Sequence, residues 1–400
     1  MTTSAYIILL GDGMGDYPLA ELGGKTPLEA AATPNLDRLA REGELGLVQT
    51  VPEGMAPGSD VANMAILGYD PRRYLTGRAP LEAAAMGVAL APDEVAFRCN
   101  LVSLSGEPPD RTMEDYSAGH ITTEEAARIV QSLGEGLNDT EFTFYAGVSY
   151  RHLLVWKGGF GEVATTPPHD ITGRKVAPYL EKINFMVLLE LMERAGKILA
   201  DHPVNHDRRQ RGLRPANSIW LWGQGFKPAM PTLAERFGLT GAVVSAVDLL
   251  RGIGRYVGLE PLVVPGMTGW LDTNHAGKVD AALGALGPGK LIYLHVEAPD
   301  EASHSGSLAD KLRAIENFDR LVVGPVSGRL PAGARLMALT DHFTPLSTKT
   351  HSSEPVPYVI WGEGVAASGA KAFSERQAAQ GPKTNEGYAL LDRFLAAEKS

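Results

Sequence analysis

Four times along this chain a short apolar run breaks off into small and acidic residues: AYIILLGDGMGD from residue 5, GAVVSAVD at 241–248, KLIYLHVEAPD at 290–300 and RLMALTDHFTP at 335–345. An apolar run of this length closed by glycine or aspartate is the pattern of a strand buried on both faces. Such a strand delivers its last residues to a site at its carboxyl end. Between the runs lie stretches of helical period, LDRLAREGE, VDLLRGIGRYVG and SLADKLRAIENFDRLVVGPV. Strand and helix alternating on this scale specify an α/β fold with a doubly wound, mostly parallel sheet.

The middle of the chain follows another grammar. From about Phe97 to Arg214 there are alternating strand-like pieces, FRCNLVSL and EFTFYAGVSYRHLLVW, and one clear helical stretch, VAPYLEKINFMVLLELMERAGKILA. At 400 residues the chain has room for two domains or for one large domain with an insertion. The expected organisation is a core of residues 1–82 and 215–400 with an inserted α+β domain at 83–214. The basic stretch NHDRRQRGLRP reads as the loop returning to the core, a solvated surface run being an equally plain reading.

Charge and composition narrow the partners. A net charge of −10 argues against nucleic acid, whose phosphates are bound through clustered Lys and Arg. No stretch approaches the roughly 20 apolar residues that cross a bilayer. The first apolar run has no basic flank and reads as a strand rather than a secretory signal. The single cysteine, Cys99, excludes an intrachain disulfide and a Cys-based zinc site and fits a reducing cytoplasm. A small ligand, no nucleic acid and no membrane are therefore expected, and a homo-oligomer is compatible with the sequence.

The polar residues at the ends of the runs carry the chemistry. Asp300 and His304 are four apart and share one face of a helical turn opening after KLIYLHVEA. Asp341 and His342 follow the last run, and as neighbours are expected to point in different directions; His351 comes shortly after, and Asp12 ends the first run. Singly, each has a plainer reading as a helix cap, a turn former or a hydrogen-bonded packing histidine. Together, at the carboxyl ends of parallel strands, they suit Mg²⁺, Mn²⁺ or Zn²⁺ in a two-metal arrangement. Ser59, after the turn Pro57–Gly58 and before DVANMAIL, is the nucleophile candidate, since a helix N-terminus favours developing negative charge. Its plainer reading is an N-cap. GGKTP at 23–27 mimics the end of a phosphate-binding nucleotide loop, but Leu19 stands where that loop needs glycine. GDGMGD also fails the dinucleotide fingerprint, so no nucleotide cofactor is expected.

These residues sit in stretches that resemble the archaeal-type, cofactor-independent (2,3-bisphosphoglycerate-independent) phosphoglycerate mutases of the alkaline phosphatase superfamily. The resemblance runs nearly end to end, through GDGMGD, GKTPLEAAATPNLDRLA, PGSDVANMAILGYDP, GRAPLEAAAMGV, YRHLLVW, PPHDITG, SAVDLLRGIG, GMTGWLDTN, HVEAPDEASHSG and TDHFTP followed by HSSEPVP. It implies an alkaline-phosphatase-like core carrying two divalent ions (Mn²⁺, Mg²⁺, Co²⁺ or Zn²⁺). Asp12, Ser59, Asp341 and His342 would surround one, and Asp300, His304 and His351 the other. It further implies that Ser59 takes the phosphoryl group of 3-phosphoglycerate and returns it to the 2-hydroxyl of the retained glycerate. Arg151, His169, Asp170 and Arg251 are the candidates for holding substrate, His169 and Asp170 as an acid/base pair; Arg251 stands where the family more often has lysine. The variant ANSIWLWGQG resembles a bacterial subgroup acting on other small molecules, homoserine among them. The rival readings are a homoserine-kinase-like phosphotransferase, a phosphomonoester hydrolase on the same scaffold, and a non-catalytic metal-binding protein, against which the nucleophile in the set argues.

Overall fold

The first apolar run forms the strand Tyr6–Gly11, lying between Lys290–Val296 and Arg335–Leu339 with both pairings parallel. These details come from a computed structural model that describes residues 4–396. Thr240–Val244 and Leu259–Pro261 extend the sheet in parallel on one side. On the other, Val356–Gly362 runs antiparallel between Arg335–Leu339 and Glu44–Val48, and Lys383–Thr384 completes an eight-stranded sheet. Ile7, Ile8, Leu9 and Leu10 are each 0 % exposed, so both faces of the first strand are covered, as the uninterrupted apolar run requires. Burying each such side chain is worth at most about 1.5–3 kcal/mol. Three neighbouring parallel strands thus bring Asp12, Asp300 and Asp341 to one edge of the sheet.

The chain divides into two units: one runs to Leu75 and resumes at Ala229, the other is Thr76–Pro228. The second unit is built on Glu94–Ser105, a twelve-residue strand paired antiparallel with Thr112–Asp115, Arg151–Lys157 and Ser218–Phe226; Phe142–Tyr145 adds a fifth strand. The expected breaks at 82/83 and 214/215 therefore move outward. The strand Ser218–Phe226 belongs with Glu94–Ser105, and the helix Arg78–Ala85 packs on that pair.

Two further expectations change. NHDRRQRGLRP is not a loop over its first half, because Pro203–Gln210 is a helix. Pro203 fits the first helical position and the His202 ring accepts from Val204 N–H. Asn205 and Arg208 are buried, Arg208 bonding Glu125 at 2.5 Å and the Ala118 carbonyl at 2.6 Å. A basic run at helical spacing here serves the interior. The long stretch VAPYLEKINFMVLLELMERAGKILA splits into helices Ala177–Leu180 and Met186–Ala200. Between them Ile183 is buried, and the Phe185 ring stacks on Phe160 at 5.0 Å and meets Trp156 at 5.7 Å. No helix among the described residues is long and apolar enough to cross a membrane.

Candidate metal centre

The turn after the first strand makes the site possible. Gly13 has φ +59°, and a Cβ there would lie 2.5 Å from Asp300 Oδ1 and 2.6 Å from Thr344 Oγ1. Only glycine allows the backbone this close. Its N–H donates to Asp341 Oδ1 at 3.1 Å, tying the loop after one strand to the carboxylate after the next. Asp12 turns inward, 2 % exposed, and its Oδ1 has no hydrogen-bond partner although it is buried. A buried carboxylate oxygen left unpaired costs about 1–3 kcal/mol or more; a cation would remove that cost.

Asp12, Asp341 and His342 offer ligand atoms within 4.8 Å of one another, as do Asp300, His342 and His351. His342 Nε2 stands at the centre, 3.5 Å from Asp12 Oδ1, 3.4 Å from Asp341 Oδ2 and 3.1 Å from Ser59 Oγ. Adjacent in sequence, Asp341 and His342 were expected to diverge; they converge because the strand ends at Leu339 and the period of two no longer applies. His304 lies on the helix Ala298–Ser305, as the four-residue spacing with Asp300 required. Its Nε2 is 3.1 Å from Asp300 Oδ2 and 3.1 Å from His351 Nε2.

The hydrogen bonds fix the tautomers. Thr344 Oγ1 gives its hydrogen to Asp300 Oδ1 at 2.5 Å, so it accepts from His342 Nδ1 at 3.2 Å. His304 Nδ1 faces the Lys349 carbonyl at 2.9 Å, which accepts only. Both rings thus carry hydrogen on Nδ1 and, when neutral, turn the Nε2 lone pair toward the carboxylates, the arrangement a metal ligand needs. Lys349 holds φ +55° to present that carbonyl.

Electrostatics point the same way. Burial, then the charges of Asp341 and Asp300, push the Asp12 carboxyl well above the usual carboxylate range. Burial would also raise Asp300, but hydrogen bonds from His304 and His351 hold it well below. The bond to Asp300 raises His304 to about 9, against its own desolvation, while burial lowers His342. Three buried carboxylates crowded together, with oxygen and nitrogen donors and no thiolate, fit divalent cations.

Ser59 is the first residue of the helix Ser59–Ile66, one position past its N-cap Gly58, and its hydroxyl lies 3.1 Å from His342 Nε2. Behind it, Asn63 donates to the Ser59 carbonyl at 2.8 Å and to Asp341 Oδ2 at 3.0 Å, and accepts from the buried Tyr293 hydroxyl. Arg251 pairs with Asp248 on its own helix at 2.9 Å. Arg151, His169 and Asp170 lie in the second unit. There Arg151 is exposed at the start of its strand, with its guanidinium 5.5 Å from the Tyr150 ring. His169 Nε2 is 3.5 Å from Asp170 Oδ1 and its ring meets Trp222 edge-on at 5.5 Å. Burial lowers the His169 pKa despite Asp170.

A 2,3-bisphosphoglycerate-independent phosphoglycerate mutase from Methanothrix thermoacetophila is 52 % identical over 391 residues, 97 % of each chain. This chain belongs to that family. The mutase family model matches residues 40–205. Among solved mutases, the cofactor-independent enzyme of Thermoplasma acidophilum is 26 % identical with a TM-score of 0.67, covering 98 % of this chain and 99 % of its own. A solved Pyrococcus horikoshii protein is 29 % identical with a TM-score of 0.82, covering 99 % and 97 %. The mixed α/β fold with its large, mostly parallel sheet is shared with these structures.

Proposed function

We propose that this chain interconverts 3-phosphoglycerate and 2-phosphoglycerate through a phosphoserine at Ser59. The observation that carries the reading is the placement of the Ser59 hydroxyl on the first residue of a helix, 3.1 Å from His342 Nε2, in a chain of the mutase family. Asp12, Asp341, His342 and Ser59 would hold one divalent ion and Asp300, His304 and His351 the other; ions there neutralise phosphoryl oxygens and lower the pKa of a serine hydroxyl. Ser59 Oγ attacks phosphorus as the bond to the 3-oxygen breaks, and the proton of the hydroxyl passes to that oxygen. The 2-hydroxyl of the retained glycerate then attacks the phosphoserine, the bond to Ser59 breaks, and the 2-hydroxyl proton returns to the serine. No nucleotide or second substrate enters the balance.

Exclusion of water decides between mutase and phosphatase, since an acceptor held beside phosphoserine reacts as if intramolecularly. Arg151, His169, Asp170 and Arg251 are proposed to hold the glycerate. The test is one coupled assay with Mn²⁺ and 3-phosphoglycerate that follows 2-phosphoglycerate, free phosphate and nucleotide consumption separately. Formation of 2-phosphoglycerate without phosphate release is expected. Phosphate as the main product would favour the hydrolase reading, and nucleotide consumption in a parallel run supplied with ATP and homoserine the kinase-like one.

A further inference from the structure

His295 is the next-to-last residue of the strand Lys290–Val296, is 0 % exposed, and is not among the site residues the sequence pointed to. Its Nε2 is 2.8 Å from Asp12 Oδ2, and its Nδ1 is 3.1 Å from Ser245 Oγ. Ser245 Oγ in turn accepts from Val247 N–H at 3.0 Å. The serine hydrogen then has His295 Nδ1 as its acceptor, which leaves the imidazole hydrogen on Nε2, aimed at the carboxylate. The chain of donors runs one way, from Val247 N–H through Ser245 and His295 to Asp12.

We infer that His295 is a positioning residue for the metal centre: its Nε2–H occupies Asp12 Oδ2 and so presents Oδ1, the oxygen without a partner, as a single-oxygen ligand. His295 carries the opposite tautomer from His304 and His342. Both of its ring nitrogens are engaged, so it is not itself a ligand. A neutral donor also suits the place, since a second cation would compete with the ion for Asp12. Outer partners that orient a ligand in this way are typically worth about 10–100-fold in metal affinity. The inference rests on the two-ion reading of the pocket.

The test uses full-length protein stripped with chelator and titrated with Mn²⁺, free Mn²⁺ being read from its electron paramagnetic resonance signal. His295→Leu is expected to raise the dissociation constant of one of two Mn²⁺ equivalents by about 10–100-fold and to leave the other near its wild-type value. His295→Gln, whose amide nitrogen falls where Nε2 stands, should restore most of the loss at a similar melting temperature. Ser245→Ala, which frees the tautomer, should fall between the two. Folded His295→Leu protein with wild-type Mn²⁺ affinity overturns the inference, and so does a glutamine variant no better than leucine. Should His295→Leu fail to fold, Ser245→Ala decides: wild-type affinity there overturns it, weakened affinity supports it. Asp12→Ala separates the two levels. If it binds both equivalents normally, the two-ion reading falls and takes this inference with it; if it loses one equivalent while His295→Leu loses none, only the inference falls.

Discussion

Ser59 separates chemistry from packing at the level of single atoms. A hydroxyl that only capped its helix would bond a backbone N–H one turn on, whereas this one is directed at His342. Ser59→Ala is therefore expected to keep the fold and most metal affinity, because the other ligands are carboxylates and imidazoles, yet to lose turnover by orders of magnitude. Mass spectrometry of wild-type enzyme quenched during turnover should find one added HPO₃ group on the peptide containing PGSDVANMAILGYDP. An unmodified peptide together with an active alanine variant would sink the phosphoserine mechanism. Asp12, Asp300, Asp341 and His342 were legible as a group because, although each alone could be a cap or a packing residue, all follow the carboxyl ends of parallel strands, where such sheets place their sites. Asn63, Tyr293, Thr344 and His295 were not. Asn63, Tyr293 and His295 sit inside apolar runs and Thr344 follows the more conspicuous Asp341 and His342, and what each does depends on its partners, Asp341 and Asp12 being more than 200 residues distant for Asn63 and His295.

Elements show the same division between local and borrowed order. The helix Pro34–Glu42 begins at Thr33, whose side chain makes no capping bond. Its first N–H groups are taken by Asp319, with Leu36 N–H at 2.7 Å from Oδ1 and Asn35 N–H at 3.3 Å from Oδ2. Asp319 opens the wide helical turn Asp319–Val323 within a stretch the sequence presents as ordinary helix. Asp319→Ala should cost about 1–2 kcal/mol in chemical denaturation, the usual worth of a cap, and leave Mn²⁺ affinity unchanged. A loss within error of zero would show that the helix does not depend on this cap. The parallel strands were legible because apolar runs closed by Gly and Asp have few other folds open to them. The helix Pro203–Gln210 was hidden by its charge, since Arg208 is buried only because Glu125 and two backbone carbonyls meet it.

For the whole molecule, metal, proton and stability form one linked system. In the metal-free protein His304 is held at about 9 by Asp300, above its ordinary 6.5. A group raised on folding contributes stability that is fully present below about 6.5 and is lost as pH rises through about 9. Asp12, raised by burial and by Asp341 and Asp300, acts in the same direction, since its carboxylate is disfavoured once it ionises. A divalent ion reverses both effects by taking the place of the protons. Chelator-treated protein should therefore melt at progressively lower temperature from pH 6.5 to pH 9, while Mn²⁺-loaded protein should change much less. Calorimetric titration at pH 7.5 in buffers of different ionisation enthalpy should show protons released as Mn²⁺ binds, about one from His304. As pH falls the same competition runs backward, so activity at limiting Mn²⁺ should fall and be restored by more Mn²⁺. A gap between the two melting temperatures that stays constant across this range, with no proton release on binding, would show that His304 does not face the ion.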